Sequence, residues 1–327
     1  MRQGYHTNES GVLVPNSEDY VGGWIHVSDP SEEEVNQLVK EFKFPKDYIT
    51  SVLDAHEVSR QEMLKEEDTN SAILLVLQYP FLIESELGYK EYMTYPISII
   101  LTDHTIITAS KHLPQFISEI THNNPNFAVD TTHQEQFVLR LFWYISASYM
   151  RFLQEIDIET RRLELQLTQS TKNEQLYALM SLQKSLIYFS TAINSNGPIF
   201  DIMKETDRFS KDERTRSFLH DVIVENNQAQ IMTSQYQKIL DQVSTVFSAV
   251  VSNNLNNIMK ILTSITIVLT IPTILGGIYG MNVEIPFIDT PGAFWLIMVI
   301  MIISSVLTVW LLKKKDFFKE LLNSYQV

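Results

Sequence analysis

Asn256, Met259, Thr263, Thr266, Thr270, Thr273 and Gly277 follow one another at spacings of 3, 4, 3, 4, 3 and 4 residues. On an α-helix that spacing is a heptad seam, so all seven share one face. Apart from Met259 and Gly277 they carry amide or hydroxyl groups, which accept and donate hydrogen bonds without full charge. Around the seam, residues 261–280 hold no charged side chain, and about twenty such residues are what a helix needs to cross a hydrocarbon core. Two uses of hydroxyls in a membrane helix compete. In one, each Thr bonds the carbonyl one turn back and the stripe is a seam for helix packing. In the other, several copies of the helix ring an axis and the stripe faces water. Ile261, Ile265, Ile267, Val268, Leu269, Ile271 and Ile274 cover the other faces and suit lipid or neighbouring helices.

The span ends in Tyr279-Gly280-Met281-Asn282, followed by a short loop with Glu284 and Asp289 and no basic residue, then a second apolar span at 293–312. A Gly-Met-Asn triplet in that place, with Tyr before it and one more span behind it, resembles the CorA family of divalent-cation channels. The resemblance extends over nearly the whole chain. It implies an α+β protein with an N-terminal cytoplasmic α/β domain and a long helical stalk continuous with the first of two C-terminal transmembrane helices. It also implies a funnel-shaped homo-oligomer of five copies, and Mg²⁺ as cargo, with Co²⁺ or Ni²⁺ beside it. Where better-known members continue with an acidic MPEL-like segment, this chain has Ile285-Pro286-Phe287-Ile288-Asp289, which leaves open a zinc, cobalt or nickel transporter of the same superfamily, proton-coupled or not. A membrane-tethered scaffold is the reading from a different class, but a tether needs neither a hydroxyl seam nor this ending.

The site residues that the resemblance implies fit the chemistry of Mg²⁺, a small octahedral cation that sheds water reluctantly. A selective mouth grips the hydrated ion. Waters on a cation point their hydrogens outward, so the mouth needs acceptors, and the amide oxygen of Asn282 repeated around an axis supplies them. Backbone carbonyls near Gly280 and Met281 add more, and Glu284 attracts cations from outside. Below, Thr263, Thr266, Thr270, Thr273 and Gly277 line the pore, Met259 and Leu262 form a constriction that gates by dewetting, and Asn256 gives a second amide ring. Lys313, Lys314 and Lys315 form a basic inner ring. Two charges crossing an inside-negative potential release about 4.6 kcal/mol per 100 mV, so a passive pore accumulates the ion without a nucleotide. Closure is then by cytosolic Mg²⁺ bound between subunits, with Asp221 in the stalk as one ligand and Glu84, Glu86 or Glu91 as its partner acid.

Composition agrees with a large polar part carrying a small membrane part. The 327 residues hold 25 Lys and Arg against 39 Asp and Glu, a net charge of −14, which argues against a nucleic-acid partner. The absence of cysteine excludes disulfides and thiolate metal sites. The N-terminal MRQGYHTNES has no apolar signal region. Lys260 before the first span and the three lysines after the second place both termini in the cytoplasm of a cell-membrane protein by the positive-inside rule.

The chain reads as an α/β domain at 1–130, a helical hairpin at 131–210, a stalk helix at 211–258, the first span at 259–280, an outer loop at 283–292, the second span at 293–312 and a basic tail at 313–327. In the α/β domain, 24–27 reads as a short strand. Asp29-Pro30 reads as a helix N-cap and first residue, and a short helix follows Pro45. Residues 73–79 read as a buried strand, and 97–101 and 105–108 as a hairpin. In the helical part, 134–170 and 172–194 read as two helices, with Asn196-Gly197-Pro198 breaking the second. The absence of Pro and Gly between Lys211 and Pro272 predicts one helix from about residue 212 to 276, roughly 100 Å long at 1.5 Å per residue. Its Val243, Val246, Phe247 and Val250 need neighbours, the simplest being copies of itself. His26, His56, His104 and His112 lie on separate elements without metal-site spacing, and no catalytic constellation is visible. Glu155, Asp157, Glu159 and Glu164 make an acidic run that reads first as a solvated face.

Overall fold

The computed structural model describes residues 2–16, 22–64, 72–85, 88–169, 173–283, 286 and 291–314. Two compact units divide the chain, Met1–Ser244 and Thr245–Val327.

In the first unit, seven described strands, β1 (Arg2–Thr7), β2 (Leu13–Pro15), β3 (Gly23–Ser28), β4 (Arg60–Glu62), β5 (Ile73–Glu84), β6 (Lys90–Leu101) and β7 (Thr105–Ser110), form one sheet in the order β2-β1-β3-β7-β6-β5-β4. Only β3 and β7 run parallel; the other neighbours are antiparallel. The continuous apolar run 74–77 in β5 follows from cover on both faces. On one face, Leu74 and Val76 meet α1 (Glu32–Phe42) and α2 (Asp47–Thr50) through Val35, Leu38, Tyr48 and Ile49, all buried. The helix cap is Ser31, not the expected Asp29. Helix α1 is capped by Ser31, whose hydroxyl accepts from Glu34 N–H at 3.3 Å while Ser31 N–H donates to the Glu34 carboxylate at 3.0 Å, a capping box. Asp29 lies outside the helix with φ 47°, its N–H spent on Ser110 O.

After α3 (Gln115–Thr121), the other sheet face is covered by α4 (Gln134–Gln169) and α5 (Asn173–Glu205). Phe137, Leu141, Ile145, Tyr149 and Phe152 of α4 are buried at the one-turn spacing of a core-facing stripe. Rings interlock across the layer, Trp24 with Phe137 at 5.3 Å and Tyr92 with Phe152 at 5.1 Å. The expected break at residues 196–198 does not occur: Pro198 is inside α5. A proline there removes one backbone donor and strains one turn, but Ile199, Phe200 and Met203 beyond it are buried, and their packing holds the helix on course.

A short α6 (Asp207–Ser210) leads into α7 (Glu213–Tyr279), 67 residues long with Pro272 inside it. Leu219, Val222, Asn226, Ala229 and Thr233 form its buried stripe in the first unit. The second unit contains the rest of α7 and α8 (Ala293–Lys314), and both helices are long and apolar enough to cross a membrane.

Candidate functional site

The seam residues lie on α7, and Asn256, Met259, Leu262, Thr263, Thr266, Thr270, Thr273 and Gly277 are all exposed in the single chain. The stripe that α7 does withdraw from solvent is a different one. Asn257, Ile261, Ser264, Val268, Ile271 and Leu275 are partly or fully covered, with Ser264 1% exposed. At 3.6 residues per turn this stripe lies on the side of the helix opposite the seam. In α8, Ala293, Ile297, Met301, Ser304, Ser305 and Thr308 are partly covered. The Ser264 hydroxyl turns back on Lys260 O at 2.7 Å. Sequence reasoning passed over it, although the spacing of 257, 264 and 271 was there to be read.

Three seam hydroxyls donate to carbonyls in their own helix, Thr266 to Leu262, Thr270 to Thr266 and Thr273 to Leu269, at 2.7 to 2.8 Å. That is the bonding of the packing alternative, yet among the described residues of this chain the seam stays exposed. With its hydrogen committed, each hydroxyl presents only lone pairs outward. A donor-poor, acceptor-rich, uncharged stripe is what water bound to a cation can bond.

At the upper end, Gly280 N–H closes the last turn on Gly276 O at 3.0 Å and Met281 N–H reaches Ile278 O at 3.2 Å. A Cβ on Gly280 would stand 3.2 Å from Gly276 O, so the turn draws tight where glycine leaves room. Met281 and Asn282 follow it, exposed. Glu284 lies outside the described residues, as do Glu86 and Lys315. Lys313 and Lys314 end α8, Lys314 Nζ lying 5.2 Å from the centre of the Trp310 ring.

Of the acids, Asp221 is exposed on α7 and Glu84 is exposed at the end of β5. Glu91 is different. Its carboxylate is 6% exposed and forms an ion pair with Lys184 Nζ at 2.6 Å, which holds the ammonium above its ordinary pKa. This acid is already used inside its own chain. Three of the four acids of the α4 run are similarly engaged, and Glu164 is exposed. Glu155 accepts from the Tyr92 hydroxyl, Asp157 pairs with Arg161, and Glu159 pairs with Arg162 and Lys90. Among the described residues no group of three or more His, Asp or Glu is placed to hold a metal ion. His26 is enclosed in a bonded set with Thr108 and Ser28, while the His112 ring packs against both Phe81 and Tyr95.

The family described as CorA-like Mg²⁺ transporter protein matches residues 21–314. The cobalt/magnesium transport protein CorA of Methanocaldococcus jannaschii is 24% identical over 303 residues, covering 91% of this chain and 92% of that protein. The magnesium transport protein CorA of Campylobacter jejuni is 22% identical over 317 residues, 93% of this chain and 89% of that one. Among solved structures, the complete CorA magnesium transporter of M. jannaschii superposes with a TM-score of 0.77 at 22% identity, over 96% of this chain and 97% of that chain. The full-length CmaX protein superposes with a TM-score of 0.68 at 14% identity, over 95% and 96%. At these identities the superpositions establish the fold: an N-terminal α/β domain, a long helix and a C-terminal apolar helix. With the family matching almost from end to end, the chain belongs to the CorA-like Mg²⁺ transporter family.

Proposed function

We propose that this protein is a passive channel for Mg²⁺, admitting Co²⁺ or Ni²⁺ as well, formed by several copies of the chain in a cell membrane with both termini in the cytoplasm. Five copies is the number the family resemblance implies. The copies place their α7 seams around one axis. The observation that carries this reading is the position of the seam, opposite the covered stripe of α7, with exposed Asn282 following the end of the helix. A stripe left open by its own chain is available to an axis.

In this reading Asn282 amides, with Gly280 and Met281 backbone carbonyls beside them, receive the hydrated ion at the mouth, and Glu284 concentrates it there. The lone pairs of Thr273, Thr270 and Thr266 take hydrogen bonds from its waters in turn. Acceptors without full charge bind the ion loosely enough to release it. Met259 and Leu262, both more than half exposed, are the dewetting constriction, and Asn256 is the second amide ring. The field across the membrane supplies the driving force. Cytosolic Mg²⁺ bridging Asp221 of one copy to Glu84 of the next favours the closed state by binding it more tightly than the open one. The bilayer and divalent cations are the partners this mechanism needs.

Mg²⁺ flux into liposomes containing the purified protein, with wild type beside Asn282→Ala and internal Mg²⁺ varied, tests the proposal. Flux lost in the variant and suppressed by internal Mg²⁺ is expected. Flux untouched by the substitution removes Asn282 as the filter, and no flux for any divalent cation leaves only a tether. Competition with Zn²⁺, Co²⁺ and Ni²⁺ in the same assay separates a Mg²⁺ channel from a transition-metal transporter, and a flux that tracks a proton gradient identifies a coupled one.

A further inference from the structure

A cavity of about 480 Å³ lies where α5, α6 and α7 meet, within the first unit. Its size is that of a small-molecule site. The groups around it run against the charge of the chain. Lys204 from the last turn of α5 and Arg216 and His220 from α7 converge on it, in a protein whose net charge is −14. Arg216 and His220 are one turn apart and so share a helix face. Ser217 adds a hydroxyl beside them. The floor is apolar: Leu219 is 1% and Ile223 9% exposed.

The donor set decides the ligand. An ammonium and a guanidinium repel a divalent cation and match an anion with several oxygens, an imidazole N–H can donate to the same anion, and a guanidinium fork bonds phosphate in bidentate fashion. Lys204 has a contact with Asp201 at 3.2 Å, but the two side chains are 49% and 74% exposed, and so open an ion pair is worth little. The ammonium can turn to a ligand at small cost. Glu213 is the one carboxylate on the rim, and it opposes an anion there. A lone carboxylate ligand would leave most of the volume and donors unused, whereas a phosphate-bearing small molecule of nucleotide size engages the basic groups and lays its remaining part on Leu219 and Ile223. We infer that this cavity binds a small phosphate-bearing anion. The inference stands apart from the conduction pathway, since it needs neither an oligomer nor a pore.

Calorimetric titration of the full-length, detergent-solubilised protein tests it, with ATP, AMP, pyrophosphate and phosphate as probes and EDTA present to remove bridging cations. At least one probe is expected to bind with a Kd of about 1 mM or tighter. Arg216→Ala and Lys204→Ala weaken it by about ten-fold each, as loss of a charge-assisted hydrogen bond does. Glu213→Gln tightens it, a change that misfolding cannot mimic. Binding of ATP without pyrophosphate identifies a nucleotide, and pyrophosphate or phosphate alone identifies an inorganic source. No heat from any probe up to about 10 mM, or equal affinity in all variants, overturns the inference.

Discussion

The side-chain amide of Asn196 bonds the backbone of Gln78 at both ends: Gln78 N–H donates to Asn196 Oδ1 at 2.9 Å, and Asn196 Nδ2 donates to Gln78 O at 3.0 Å. A helix side chain thereby stands in for a strand. β4 pairs only with Leu74, Leu75 and Val76, so Gln78 lies past its end, deep under α5. Asn196, 1% exposed, also accepts from the Ser59 hydroxyl at 2.7 Å, and the Tyr149 hydroxyl adds a second donor to Gln78 O. Asn196→Ala leaves a buried N–H without a partner, a loss of about 1 to 3 kcal/mol. Chemical denaturation of the solubilised protein should show that loss, with Thr191→Ala, an exposed hydroxyl bonded only to its own helix, near wild type as control. Equal stability in the two variants would mean that water replaces the amide.

The spacing of the seam residues was legible because helical periodicity is local, and the triplet at 280–282 marked where the helix stops. What escaped were features set by long-range packing. Nothing near Pro198 says that Ile199 and Phe200 will be buried against the layer below, so a chain-breaking residue looked like a break. Glu91 and Glu84 are equally acidic in sequence, but only the placement of α5 tells that one is enclosed with Lys184 and the other exposed. The β1–β2 hairpin and the order of the sheet are pairings across distance, which alternation along one strand does not encode.

Acid sensitivity of the first unit should trace to His26. Trp24 Nε1 donates to Thr108 Oγ1 at 2.8 Å, and His26 Nδ1 lies 2.8 Å from the same oxygen. A neutral ring satisfies both contacts, one arrangement having Thr108 donate to Nδ1 and His26 Nε2–H donate to Ser28. Burial holds its pKa down to about 3 from 6.5. The unfolded chain therefore binds one more proton as pH falls below 6.5, and stability drops by up to about 1.4 kcal/mol per pH unit over that window. Comparing wild type with His26→Gln between pH 7 and 5, wild type should lose about 2 kcal/mol more. Parallel pH profiles would show that some other group titrates.

Thr270 separates the two uses of the seam. Its hydroxyl donates to Thr266 O, so what it offers a passing hydrated ion is lone pairs. Thr270→Val keeps the volume and removes them; Thr270→Ser keeps them. If the seam carries ions, Val lowers liposome Mg²⁺ flux by about two- to ten-fold, the worth of one net hydrogen bond, and Ser does not. Full flux in the Val variant would return the seam to a packing role.

The closing mechanism predicts a difference between acids that composition treats alike. Glu84 and Asp221 are exposed and free to meet a neighbouring copy, whereas Glu91 is held by Lys184 within its own chain. Glu84→Gln and Asp221→Lys should each raise the internal Mg²⁺ needed for half-inhibition of flux by about five-fold or more, the scale of a typical coupling energy. Glu91→Gln should leave that concentration where it was and instead return Lys184 toward its ordinary pKa, since the carboxylate is what raises it. Half of Lys184 is in water, so losing the pair costs the fold little. Inhibition relieved by Glu91→Gln alone would transfer the sensor to Glu91 and require the Lys184 contact to open when the channel closes.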